Sequence, residues 1–190
     1  MESDHLCRGT LTDKEYLIHM IDHHQVAIDI SIEMQKNTNW TQLQDILRKI
    51  IWVQTWEISH MKVLLTQMPD NVSQMGNNKQ WITKGTGYPP NKRGLSTTFC
   101  DPMFFNPEKH KKHMAHHKLT DDYYIKHMVP HHQVAVDMSK KILQHTRHDA
   151  ITYLANRIIK SQEAEIIYLT SLQKGYRFQS KLILSRNCRK

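Results

Sequence analysis

Cysteine is scarce in this 190-residue chain, and the few present fall in the wrong places for a framework. Cys7, Cys100 and Cys188 are odd in number, far apart and without a Cys-x-x-Cys spacing, which excludes a disulfide-stapled fold and a zinc knuckle. Long apolar runs are missing too, and no stretch approaches the length of a membrane span. The opening residues, Met1-Glu2-Ser3-Asp4-His5, carry no apolar segment of the kind a secretory leader needs. The expectation is a protein kept inside the cell or carried in a virus particle.

What the chain has in excess is histidine and methionine, 14 and 10 residues respectively. Imidazole nitrogen and thioether sulfur are the ligands that late transition metals prefer. Basic residues outnumber acidic ones, giving a formal charge of +8 and an attraction to anionic surfaces. No nucleic-acid-binding motif accompanies that charge, so it reads as a surface property. At 39% hydrophobic and 23% charged, the composition is that of an ordinary globular protein with enough chain to bury a core.

One stretch occurs twice. His19-Met20, His23-His24-Gln25-Val26-Ala27, Asp29 and Ser31 return as His127-Met128, His131-His132-Gln133-Val134-Ala135, Asp137 and Ser139, at a constant offset of 108 residues. The same offset carries Ile50-Ile51, Gln54, Glu57 and Ile58 onto Ile158-Ile159, Gln162, Glu165 and Ile166. One register held across two distant segments marks an internal duplication.

Each copy reads as two helices. Thr12-Asp13-Lys14-Glu15 is a capping box, followed by an apolar stripe at Tyr16, Met20, Ala27, Ile30 and Met34 that includes His23. Asn37-Thr38-Asn39 breaks the pattern, and a second stripe runs from Leu43 through Ile50, Ile58 and Met61 to Leu65. Thr120-Asp121-Asp122 opens the second pair, which turns near Thr146-Arg147-His148 and runs to about Gln173, with Gly175 placed to cap it. Pro130 either bends its helix or starts it at the following residue.

The predicted architecture is all-α: a ferritin-like four-helix bundle built from two tandem helical hairpins, with a long irregular arm between them. The boundaries are an extension over 1–11, a hairpin over 12–68, the arm over 69–118, a second hairpin over 119–174 and a basic tail over 175–190. Glycine and proline deny the arm regular structure for most of its length, while Trp81, Tyr88, Phe99, Phe104 and Phe105 favour its packing on something. Arm and basic tail are the parts expected to grip neighbouring protein subunits.

If the hairpins turn near residues 39 and 147, His23 lies level with Gln54 and Glu57, and His131 with Gln162 and Glu165. A buried carboxylate needs a partner, and the facing histidines are the obvious ones. Packing two hairpins about a two-fold axis would bring His23, Glu57, His131 and Glu165 to one locus, with His24, His132, His19 and His127 beside them as further candidate ligands. The alternative is a purely structural His–Glu–Gln network through Gln54 and Gln162. On the same register Asp29 faces Lys49 and Asp137 faces Arg157, so helix–helix salt bridges are expected there. A separate cluster in the arm, His110, His113, Met114 and His117, would share one face if helical and make a second, surface metal site; otherwise it is a charged approach segment.

The pattern Met128-Val129-Pro130-His131-His132-Gln133-Val134-Ala135-Val136-Asp137-Met138, followed by Gln162 and Glu165-Ile166, resembles domain-of-unknown-function family 305, a ferritin-like group defined by a His-His motif. The first copy has Asp22 where the family often has proline, and the second has Leu169 in place of the first copy's Met61. The resemblance covers roughly residues 12–66 and 120–172 and implies the duplicated two-helix fold. It also implies kinship with exported bacterial proteins linked to copper handling and with proteins of large DNA viruses that infect algae.

We read the chain as a non-catalytic bundle whose His/Glu core takes copper or zinc. The alternative is a structural or assembly protein, such as a minor capsid component. An oxidase-type enzyme fits least, because Gln54 and Gln162 depart from the Glu-x-x-His pattern of di-metal bundles.

Overall fold

The computed structural model describes residues 11–68, 102–144 and 146–187, with side chains as far as residue 175. Five helices occupy them: α1 (Asp13–Asn37), α2 (Thr41–Thr66), α3 (Pro107–Met114), α4 (Asp121–Ile142) and α5 (Asp149–Asn187), with a 3₁₀ turn at Pro102–Phe105 before α3. No strand occurs among the described residues. Cys7, Cys100, Cys188, Trp81, Tyr88 and Phe99 lie outside them.

The duplication governs even the local signals. Thr12 caps α1 by accepting from the Glu15 amide, and Glu15 returns the bond by accepting from the Thr12 amide. Thr120 caps α4 in the same way, accepting from the Tyr123 amide. At the hairpin turns, Thr38 accepts from the Trp40 amide and Thr146 from the His148 amide. Each such bond satisfies a donor that a helix end leaves open.

α1 pairs mainly with α2 and α4 with α5, and the two hairpins meet chiefly along α1 and α4. That seam is antiparallel and pinned at both ends. The Tyr16 hydroxyl lies 2.9 Å from Ser139 Oγ, and the Tyr124 hydroxyl lies 2.7 Å from Ser31 Oγ. The two bonds are images of each other under the 108-residue offset, so a pseudo-two-fold axis crosses the seam midway between them. All four residues are wholly buried. Tyr16→Phe and Tyr124→Phe are each expected to destabilise the chain by about 1–3 kcal/mol, because each strands a buried serine hydroxyl. The two losses should be similar, as equilibrium urea unfolding of the single variants would show.

The core is likewise split into two images. One apolar cluster includes Leu17, Met20, Ile58, Met61, Val134, Met138, Leu154 and Ile158. The other includes Ala27, Ile30, Met34, Leu43, Leu47, Ile50, Ile125 and Met128. Each draws on opposite ends of the two hairpins, and burying each large side chain contributes about 1.5–3 kcal/mol. Between them lies a polar layer.

One open alternative is decided and two expectations change. α4 runs through Pro130 without ending, so His131 sits inside the helix rather than opening it. α5 passes Gly175 and continues to Asn187, so Gly175 does not cap it and the tail prolongs the helix. A helical glycine costs about 1 kcal/mol relative to alanine, which a long helix absorbs. The arm is not irregular throughout: Asn106 accepts from the Lys109 amide and Pro107 takes the first helical position, which together start α3.

Candidate metal centre

The polar layer is a row of four imidazoles flanked by two carboxylates, all buried. At its centre the rings of His23 and His131 lie face to face, with centroids 3.7 Å apart and planes tilted by 34°. These residues are equivalent under the duplication, so the pseudo-two-fold axis passes between them. Outside them come His24 and His132, each 6.2 Å from its neighbour in sequence. Nε2 of His24 donates to Oε2 of Glu57, and Nε2 of His132 to Oε2 of Glu165, both at 2.8 Å.

The expected partnership is therefore corrected by one residue. Glu57 and Glu165 pair with His24 and His132, while His23 and His131 pair with each other and make no hydrogen bond to either carboxylate. The reason is register. His24 and Glu57 are equidistant from a point between residues 40 and 41, and His132 and Glu165 from a point between 148 and 149. Each lies one and a half residues past the turn centre inferred from sequence, which moves a level partner by three residues, nearly one helical turn.

The same shift undoes the expected salt bridges of Asp29 with Lys49 and of Asp137 with Arg157. Asp29 accepts from Gln25 Nε2 at 2.8 Å and Asp137 from Gln133 Nε2 at 3.0 Å, both within one helix. The cations reach between hairpins instead. Arg157 Nε lies 3.6 Å from Glu57 Oε1, and Lys49 Nζ lies 3.5 Å from Glu165 Oε1. Arg157 also rests on the Trp56 ring, which stacks on His60. Gln54 and Gln162 are buried at this level, but their amides find no hydrogen-bond partner among the described residues, so they do not wire the network.

Burial alone would raise the Glu165 carboxyl. Its hydrogen bond and charge interaction with His132, the Lys49 ammonium and Ser161 outweigh that, and hold it below the usual carboxylate range. His23 and His131 are driven the other way for a base. Burial, reinforced by neighbouring imidazoles, pushes both well below the ordinary histidine value, against an opposing interaction of His23 with the His131 backbone, so both are neutral at physiological pH.

Neutral imidazoles in a dry core are expected to be hydrogen-bonded, yet both ring nitrogens of His23 and both of His131 lack a hydrogen-bond partner among the described residues. Nδ1 of His24 and of His132 is in the same condition. A carboxylate only accepts, so Glu57 and Glu165 each fix a proton on Nε2 of the outer ring, which makes Nδ1 the nitrogen left to face a metal. Carboxylate–histidine pairs of this kind are how metal-ligating imidazoles are held in tautomer and orientation. The residues present fit a metal ion that takes few nitrogen ligands. They do not fit a ready four-ligand site, since no group of three or more His, Cys, Asp or Glu side chains suited to an ion occurs among the described residues.

The 3₁₀ turn closes one side of the row. Phe104 packs edge-on to His131 at 4.8 Å and to His127 at 5.1 Å, and Phe105 lies 5.2 Å from His23. His19 is half-buried beside Phe105. His127 packs 5.9 Å from His131, and burial together with His110, His113 and His132 lowers it to about 3. His110 is buried 4.9 Å from His127, whereas His113 and His117 are exposed and Met114 half-buried. The predicted surface cluster is therefore helical but divided between inside and outside. The two Tyr–Ser bonds escaped the sequence reading, although Tyr16 and Tyr124 stand at the repeat offset and were a usable signal; Phe104 and Phe105 do pack, as expected of the arm aromatics, and what they pack on is the imidazole row.

Comparison with known proteins places this arrangement. The sequence profile of the domain of unknown function DUF305 matches residues 2–65 and 67–173. The chain belongs to the DUF305 family. A partial relative of this DUF305 protein is an uncharacterized protein of Acanthamoeba polyphaga mimivirus, 38% identical over 64 residues. That match spans 34% of this chain and 42% of the viral protein, less than half its length. Among solved structures the DUF305 chain resembles CopM in its Cu(II)-bound form, at 25% identity and a TM-score of 0.62, over 88% of this chain and 99% of CopM. CopM in its Cu(I)-bound form matches at 25% identity and 0.59, over 87% and 98%. A DUF305 fragment from Deinococcus radiodurans shares the fold at 18% identity and a TM-score of 0.55, over 85% and 95%. No described helix of this DUF305 protein is long and apolar enough to cross a membrane.

Proposed function

We propose that this DUF305 protein is a non-catalytic carrier of a soft transition-metal ion, copper in its monovalent state above all, held between the two halves of the bundle by His23 and His131. The observation that carries this reading is the set of four ring nitrogens either side of the pseudo-two-fold axis, buried and without a hydrogen-bond partner among the described residues; their lone pairs lie in the ring planes, so the stacked rings take an ion at their edges. Leaving such groups unsatisfied costs about 1–3 kcal/mol each, and a metal–nitrogen bond removes that penalty. A monovalent copper ion accepts two nitrogen ligands, whereas zinc sites need three or four. Ligands presented in pairs therefore favour copper over zinc. Nδ1 of His24 and of His132, set by Glu57 and Glu165, are the next donors along the row. The copper-bound CopM structures support the choice of metal.

The row also lacks what an oxidase would need. Its central ligands are two neutral imidazoles with no carboxylate between them, so nothing bridges a pair of ions as in di-metal bundles. The assembly role rests on the arm over 69–118 and on the basic tail, of which residues 69–101 and the side chains beyond residue 175 lie outside the described residues.

Elemental analysis tests the proposal. Chelator-stripped protein repleted anaerobically with Cu(I) and desalted should retain copper stoichiometrically, and the His23→Ala/His131→Ala variant should retain at least tenfold less. Copper-free wild type, beside a variant that merely unfolds at lower temperature, would show that the imidazole row is only structural.

A further inference from the structure

Residues 102–117 lie between the repeats and outside the duplicated segments, yet they touch the imidazole row at its midpoint. α3 does not stop abruptly. Amides of His116 and His117 bond back to the carbonyls of His113 and Met114, so the backbone keeps turning and brings His117 over His113. Their ring centroids are 4.3 Å apart, and both rings are exposed. Two histidines four positions apart on one helical face are a recurring two-nitrogen metal chelate. The Met114 sulfur sits beside them, 3.8 Å from the Tyr123 hydroxyl. Thioether sulfur adds a preference for monovalent copper.

From this pair the aromatic rings run inward without a long gap. Tyr123 stacks at 6.2 Å on His117 and at 6.3 Å on His127. His127 then lies 5.9 Å from His131, which faces His23 at 3.7 Å. Nε2 of His127 has no hydrogen-bond partner among the described residues, which leaves a donor halfway along the route. Phe104 and Phe105 close the face of the row that they cover, so an ion reaching His23 and His131 needs another way in.

We propose that His113 and His117, with Met114, form a surface receiving site that takes a monovalent copper ion from solution and passes it through His127 to the interior His23–His131 pair. The proposal rests on the interior site argued above and adds its loading route. Lys109, Lys111 and Lys112 on the same short helix repel a cation and keep the receiving site weak. Weakness suits a site that must release what it receives. Capture at α3 turns the second binding event into an intramolecular one, which raises the effective concentration of the ion at the core.

The test follows transfer of Cu(I) from a coloured weak chelator to the full chain by stopped flow under anaerobic conditions. Wild type should show a fast phase, the receiving site, and a slower phase, the interior. His113→Ala/His117→Ala alters only exposed rings, so folding is not at issue. It should lose the fast phase and slow interior loading by about tenfold or more while leaving final interior occupancy unchanged. His127→Phe should keep the fast phase and slow the second. Interior loading at the wild-type rate in His113→Ala/His117→Ala would overturn the route and leave the interior site standing. A slow phase that survives in His23→Ala/His131→Ala would overturn the interior site instead, and the route with it.

Discussion

Replacing Glu57 or Glu165 with alanine is expected to cost about 3–5 kcal/mol of stability, the loss typical of breaking a buried ion pair from one side. Each carboxylate is all but inaccessible and sits where three helices meet. Removing Glu57 deprives both the buried His24 ring and Arg157, the latter pinned against Trp56. Removing Glu165 deprives His132, Ser161 and Lys49. In each case the partners come from both the same hairpin and the opposite one, so the loss loosens both the hairpin and the seam. Glutamine at either position keeps the shape but surrenders the charge, and should destabilise less. It should also weaken any copper held at His24 or His132 by about 10–100-fold, the usual consequence of losing a carboxylate behind a metal-binding histidine, while leaving the His23–His131 pair less affected. Urea unfolding and chelator competition on the four single variants measure the two effects separately. A Glu→Ala cost below 1 kcal/mol would mean that the carboxylates are not the anchors of the layer.

Acid should destabilise the metal-free protein well before its carboxylates titrate. A histidine whose folded value lies below its unfolded value binds fewer protons in the fold than in the open chain. Stability is therefore fully present above the unfolded value and falls with pH down to the folded one. For His127 that window runs from 6.5 to about 3, and at pH 5 it alone removes about 2 kcal/mol relative to neutral pH. His23 and His131, more deeply buried, act in the same direction, as do the half-buried His19 and the partly buried His148. Glu165, held low, adds its loss below the ordinary carboxylate value. Asp22 and Asp137 oppose the trend, since burial raises both, but both are partly exposed and their effect is small. Against a total stability of about 5–15 kcal/mol, the loss at His127 alone is a sizeable share, and the other histidines add to it. Urea midpoints from circular dichroism at pH 7.5 and 5.0 would show it. His127→Phe should flatten the slope between those values, and a midpoint that did not move would contradict neutral buried imidazoles.

The fold was legible because the duplication carried it. Once Thr12, His23-His24 and Glu57 were seen to recur in one register, two hairpins about a two-fold axis followed, as did a need for partners at Glu57 and Glu165. Choosing between His23 and His24 was harder. Adjacent helical residues point about 100° apart, so an error of one and a half residues in the turn centre is enough to exchange their roles. Arg157 and Lys49 were assigned within hairpins because register arithmetic knows nothing of the neighbouring hairpin, and long side chains reach across it. Phe104 gave no periodic signal, and the helical spacing of His110 did not show that it faces inward. Their helical turns are short, and only contact with the repeats reveals what they cover.

Anomalous diffraction from crystals of the full chain grown anaerobically with Cu(I) would locate the ion directly. A peak bonded to ring nitrogens of His23 and His131 is the predicted result. Both rings ordered at full added copper, with no peak between the two halves of the bundle, would contradict it.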